Sequence, residues 1–218
     1  MEKKIVSKMG IIGFIVFLLI FPHFVPLPFY SYSLVCMLAI YLMLRREGRT
    51  FRDIGLFKEK LTVKAFFLGA ITAIAWIAFM QLVYIPSIKY FFQVPDYTEY
   101  NFIKSSLAKL VVTIIAALVI GGLYEEIVFR GYIQNVLEKR IFKGYSPMVS
   151  IFVVSILFGF YHLQQDIFAV IAAVMGGLYW SMLYKKSGNL WVAIASHALF
   201  DTITLILIYK GMFGVFSY

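Results

Sequence analysis

Apolar residues run along this chain in long blocks separated by short polar stretches. From Met9 to Leu44 there is no Asp, Glu, Lys or Arg. That run exceeds the roughly 20 helical residues that cross a hydrocarbon layer about 30 Å thick. Pro22, Pro26 and Pro28 interrupt it, which predicts two short helices joined by a turn near PHFVPLP. Residues 45–64, RREGRTFRDIGLFKEKLTVK, mix basic residues with scattered Phe, Ile and Leu, the pattern of a segment lying at a membrane surface. Ala65 to Ile88 predicts a third helix, followed by a polar, aromatic loop over 89–106. A fourth helix starts at Leu107 and runs through GLYEEIVFRGY; its tail GYIQNVLEKR reads as amphipathic and is expected to leave the bilayer. Ser146-Pro147 opens a fifth helix ending near Gln164. Ile167–Tyr184 and Leu190–Tyr209 complete the set.

The expected fold is all-α: a polytopic transmembrane helical bundle of about seven spanning helices. Six spans plus a re-entrant N-terminal hairpin is the competing arrangement. Residues 1–218 form one transmembrane domain, with 107–205 as its motif-bearing core. The chain shows no internal repeat, heptad run or low-complexity segment.

Composition agrees with the pattern. The chain is 62% hydrophobic and only 14% charged, far from a soluble domain. The net charge of +9 does not indicate nucleic acid here, because the basic residues sit in short loops that orient the helices. With the N-terminus in the cytoplasm, that side holds Lys3, Lys4, Lys8, the basic residues of 45–64, Lys139, Arg140, Lys143, Lys185 and Lys186. The other side holds Lys89, Lys104, Lys109 and Lys210. This asymmetry predicts a multi-pass protein of the cell membrane with a cytoplasmic N-terminus. MEKKIVSK resembles a signal-peptide start but lacks a small-residue cleavage site, so it reads as the lead into an uncleaved helix. The single cysteine, Cys36, excludes an intrachain disulfide and a zinc–thiolate cluster.

Six ionisable residues fall inside the expected helices: Glu125, Glu126, Arg130, His162, His197 and Asp201. A charge at mid-bilayer costs several kcal/mol, so each needs a partner or a task. Glu126 and Arg130 stand at i and i+4 and can pair on one face. Glu125 lies about 100° round the helix from Glu126 and can face elsewhere. Phe158 precedes His162 by one turn, and His197 and Asp201 share a face. A hairpin of the fourth and fifth helices puts Glu125 and His162 at similar depth. His197, only a few turns past Gly188, fits that depth if the fourth and fifth helices extend beyond the membrane or a helix is broken. The plain structural alternatives are an ion pair tying helices together, histidines hydrogen-bonded between helices, Asp201 as a cap or pair, and Phe158 as packing. Together the six residues describe water-activated amide hydrolysis, with a glutamate as general base, an imidazole sharing the water and a second imidazole facing the oxyanion.

GLYEEIVFRGY, FGFYH and SHALFD, in order on successive apolar helices, resemble the CAAX protease and bacteriocin-processing (CPBP, Abi) family of intramembrane proteases, which includes the type II CAAX prenyl endopeptidases. The resemblance covers about residues 107–205; the first three helices carry no matching motif. It implies Glu125 as the water-activating glutamate and His162 as its partner on the water. Glu126 and Arg130 become the supporting pair, beside Phe158, and His197 with Asp201 takes the oxyanion positions. An ionised Asp201 cannot donate to an oxyanion, so it is protonated, orients His197 or helps bind a metal. The resemblance favours activated water without an obligate metal. If a divalent metal such as zinc is present, Glu125, Glu126, His162 and His197 are its ligands. The partners implied are the lipid bilayer and a peptide or membrane-protein substrate. A bacteriocin leader, peptide pheromone or membrane-protein segment is favoured over a prenylated protein. A non-catalytic bacteriocin-immunity scaffold and, less so, a proton-coupled transporter are the other readings.

Overall fold

The computed structural model describes residues 6–25, 31–92 and 98–213. Lys3, Lys4, Pro26, Pro28 and Tyr97 lie outside the described residues. Seven long helices follow one another: α1 (Lys8–Phe24), α2 (Tyr32–Arg46), α3 (Val63–Phe91), α4 (Leu107–Ile141), α5 (Pro147–Phe160), α6 (Ile167–Ser187) and α7 (Leu190–Tyr209). The described residues contain no strand. The protein is an all-α membrane bundle. Four helices, α3, α4, α6 and α7, are long and apolar enough to cross a bilayer, while α1 and α5 are shorter apolar helices.

The helix starts follow from local chemistry. Ser7, Thr62, Ser106, Ser146, Asp166 and Asn189 cap α1, α3, α4, α5, α6 and α7, each side chain accepting from a backbone N–H of the first turn. Pro147 occupies the first turn of α5, where its missing N–H costs nothing. Gly188 ends α6 at φ +58, a left-handed conformation that favours glycine. α1 continues through Pro22 to Phe24, so His23 belongs to a helix and not to the expected turn. Its ring meets Tyr161 edge-on at 4.7 Å.

Lipid supplies no hydrophobic drive between helices, so close packing at small residues holds the bundle together. A Cβ on Gly69 would lie 2.6 Å from the Ala195 Cβ, which marks the α3–α7 crossing. On Gly122 it would lie 2.5 Å from the Ala198 Cβ, where α4 meets α7. On Gly177 it would lie 2.9 Å from the Ser155 Cα, where α6 meets α5. Outward-facing Leu34, Phe67, Ile71 and Val112 are exposed, as a lipid-facing surface requires.

α4 departs most from expectation. From Leu118 to Ile141 it is largely π-helical, with hydrogen bonds reaching five residues back. Its tail has no solvent-facing side through Leu137, against the amphipathic reading: every residue from Tyr124 to Leu137 is buried. Three neighbours explain this. Phe14 of α1 packs on Tyr132 at 5.3 Å. Ile54 of the 45–64 segment approaches Gly131, and Asn135 is held by the Tyr184 hydroxyl at 3.0 Å. At 35 residues, α4 is at most about 50 Å long and overruns a 30 Å hydrocarbon layer.

The 45–64 segment is anchored to the bundle. It makes two short 3-10 turns, Phe51–Ile54 and Lys58–Lys60. Trp191 donates to the Phe57 carbonyl at 2.8 Å, and Lys60 donates to the Gly188 carbonyl at 2.7 Å. The segment thereby clamps the α6–α7 turn against the buried end of α4. The basic loops gather at this end of the bundle. The 98–105 turn, the α5–α6 connection and residue 213 gather at the opposite end.

Candidate active site

Consecutive residues of the wide α4 helix face different surroundings. Glu126 points into the fully buried interior between helices. One of its oxygens stands 2.9 Å from Arg130 Nη1, both side chains being 0% exposed. The same oxygen accepts from His197 Nδ1 at 2.8 Å. The sequence pairs Glu126 with Arg130 alone; the fold adds His197 from α7. The Arg130 guanidinium lies over the Phe158 ring at 4.3 Å and the Trp180 ring at 5.6 Å. It also donates to the Gly177 carbonyl at 3.5 Å. Phe158 is therefore more than a neighbour of His162: it forms one wall of the arginine's chamber.

Glu125 looks the other way. It lines a partly open cavity of about 510 Å³ shared by His162, His197, Asp201, Gly121, Phe158 and Trp180. All three sequence motifs thus converge on one space. His162 lies just beyond the end of α5, not within it, in a turn that closes with His162 N–H donating to the Gly159 carbonyl. Its Nδ1 is 2.8 Å from the Phe158 carbonyl. A carbonyl only accepts, so Nδ1 carries the proton and a neutral ring keeps its lone pair on Nε2.

His197 is fixed on three sides. Nδ1 donates to Glu126, its ring stacks on Trp180 at 3.8 Å with 16° between planes, and Nε2 stands 3.7 Å from Asp201 Oδ2. Asp201 is accommodated by the absence of a side chain at Gly121, where a Cβ would lie 2.2 Å from its Oδ2. The two neighbouring glycines of α4 therefore serve different ends, one a carboxylate and one a helix contact. In α6, Gly177 makes the helix contact, and Gly176 instead faces the ring of its own Trp180.

Trp180 is the residue that sequence reasoning missed. It touches His197, Arg130 and Phe158, and donates to the Ser196 hydroxyl at 3.3 Å. Nothing in the apolar run around it distinguishes it from a packing tryptophan. Thr204, one turn beyond Asp201, lines the same cavity and was likewise unmarked.

One Glu126 oxygen is already shared by Arg130 and His197. His162 Nδ1 donates to a backbone carbonyl, which leaves Nε2 facing the cavity. Among the described residues no group of three or more His, Cys, Asp or Glu side chains is placed to hold one ion.

No curated protein and no solved structure matches the chain. Over residues 107–203, which hold all three motifs, the chain matches the family described as type II CAAX prenyl endopeptidase Rce1-like, consistent with the CAAX protease and bacteriocin-processing family.

Proposed function

We propose that this membrane protein is an intramembrane endopeptidase in which Glu125 activates the water that attacks a peptide bond. One observation carries the reading: Glu125 is the acid of the pair that faces the cavity, while Glu126 beside it is occupied by Arg130 and His197. Glu125 takes a proton from the water, and His162 Nε2 accepts the water's other hydrogen. The hydroxide adds to the substrate's carbonyl carbon. His197, carrying protons on both nitrogens, donates from Nε2 to the resulting oxyanion. Asp201, too far from Nε2 for a hydrogen bond, steadies that imidazolium and is not itself the donor. Collapse breaks the C–N bond, and Glu125 returns its proton to the departing amine. The match to an endopeptidase family over the same residues supports a peptide as substrate.

Positioned acid–base catalysis contributes roughly 10²–10⁴-fold. Glu125→Gln is therefore expected to lower cleavage at least about 100-fold while the bundle stays folded. The measurement is proteomics of peptides that accumulate in cells carrying the variant, followed by cleavage of those peptides by purified protein. Wild-type cleavage by Glu125→Gln sinks the proposal. A scaffold that needs only the fold would keep its function in both Glu125→Ala and His162→Ala.

A further inference from the structure

The cavity is not symmetric between the two ends of the bundle. Its walls near Glu125 are Gly121, His197 and Asp201. Moving away from Glu125 along α4, the wall continues through Ile120, Ala117 and Thr113, toward the helix start at Leu107. Tyr100 of the 98–105 turn, Gln164, Gln165 and Asp166 of the α5–α6 connection, and Phe213 beyond α7 complete the lining. All of these belong to the end opposite the basic loops. Toward the basic end the path is closed: Tyr124 to Leu137 of α4 are buried, and the pinned 45–64 segment covers that end.

The lining is richer in acids than in bases. It includes Glu125, Asp166 and Asp201 and neither Lys nor Arg. Its one cation in the proposed reaction, the His197 imidazolium, already has Glu126 and Asp201 beside it. A further carboxylate brought into the cavity finds no unmatched cation, and burying an unpaired charge beside like charges is costly. Around the mouth, Tyr90, Phe91, Leu163 and Ile167 are exposed, a surface suited to the membrane interface.

We propose that the cavity is loaded from the face opposite the basic loops, which is the outer face if those loops are cytoplasmic. It takes an apolar, neutral or cationic peptide segment exposed there, with no free carboxylate close to the bond to be cut. This rests on the endopeptidase reading, but its test does not need cleavage. Cys36 is replaced by alanine, and single cysteines are introduced as Ala117→Cys on the cavity wall, Gln165→Cys at the mouth and Lys58→Cys at the basic end. Each is reacted with a membrane-impermeant maleimide in intact cells and in everted vesicles. Ala117→Cys and Gln165→Cys are expected to react in cells, and Lys58→Cys only in everted vesicles. Reaction of Ala117→Cys only from the side that labels Lys58→Cys, or from neither side, overturns the entry route. An apolar hexapeptide ending in an amide is expected to slow Ala117→Cys labelling at least about threefold more than the same peptide ending in a free acid. Equal slowing by the two, or none by either, overturns the charge preference. Glu125→Gln leaves the side from which each cysteine labels unchanged, so loss of the endopeptidase reading and loss of the entry route are separate results.

Discussion

Glu125 and Glu126 share a peptide bond, yet they belong to different regions of the molecule. Behind α4 lies a closed chamber where one Glu126 oxygen stands against Arg130 and the near nitrogen of His197 between aromatic rings. In front lies an open cavity where Glu125, His162, Asp201 and the far nitrogen of His197 face common space. His197 belongs to both, one nitrogen on each side. The comparison shows how a membrane bundle keeps a reactive acid: the structural charges are paired out of reach, and the chemical ones are left facing the hole.

The sharpest way to break this contrast is to unpair the closed side. Arg130→Met leaves Glu126 as a buried charge without its guanidinium, which typically costs 3–5 kcal/mol (about that range here). Unfolding in detergent micelles measures it. Adding Glu126→Gln to Arg130→Met is expected to recover part of the loss, and a neutral Arg130→Met would refute the buried pair.

The two glycines of α4 separate the regions further. Gly122→Ala drives a methyl into the backbone of α7, an overpacking cost of about 1–3 kcal/mol. Gly121→Ala clashes with the rotatable end of Asp201 and meets no backbone. It is expected to lower cleavage about tenfold through the shift of Asp201, with a smaller stability loss than Gly122→Ala. The reverse order would mean that Gly121 is a packing residue.

Trp180→Phe tests the wall between chamber and cavity. It keeps a ring but loses the extended stack on His197 and the bond to Ser196, and is expected to cost about 1 kcal/mol. Cleavage should fall severalfold as His197 loosens. Unchanged cleavage would make Trp180 packing alone.

The smallest effect lies outside both regions, in the 45–64 segment. The Asp53 carboxyl is held below the usual carboxylate range, chiefly by the Thr50 backbone N–H. A depressed value means the contribution is present above about pH 4 and fades as pH falls through the folded-state value. Asp53→Asn is expected to cost a few tenths of a kcal/mol at neutral pH, about the low end for a cap. The gap from wild type should close in acid. A gap that widens in acid contradicts the cap.

Much of this was legible in the chain. Ser146-Pro147 opens α5 as its cap and first-turn proline indicate, and α7 runs from Leu190 to Tyr209 as its apolar run indicates. The six intramembrane ionisable residues were marked by their cost in lipid. Sequence spacing alone separated Glu125 from Glu126 and paired the latter with Arg130. Spacing within one helix cannot reveal a third partner from another, so the Glu126–His197 bond was not legible. Nor was the burial of the α4 tail: its polar residues Gln134 and Asn135 look solvent-facing until Ser181 and Tyr184 are found beside them.

By itself, then, the sequence determined the class of the molecule and the identity of its charged residues. Apolar length and the price of charge in lipid are properties of single segments, and they need no knowledge of neighbours. Only the tertiary structure decided which acid faces the cavity, which nitrogen of His197 serves which region, and toward which end the cavity opens. Those depend on contacts between α4, α5, α6 and α7, whose mutual rotation is set by small residues meeting across helices, and no single segment carries that information.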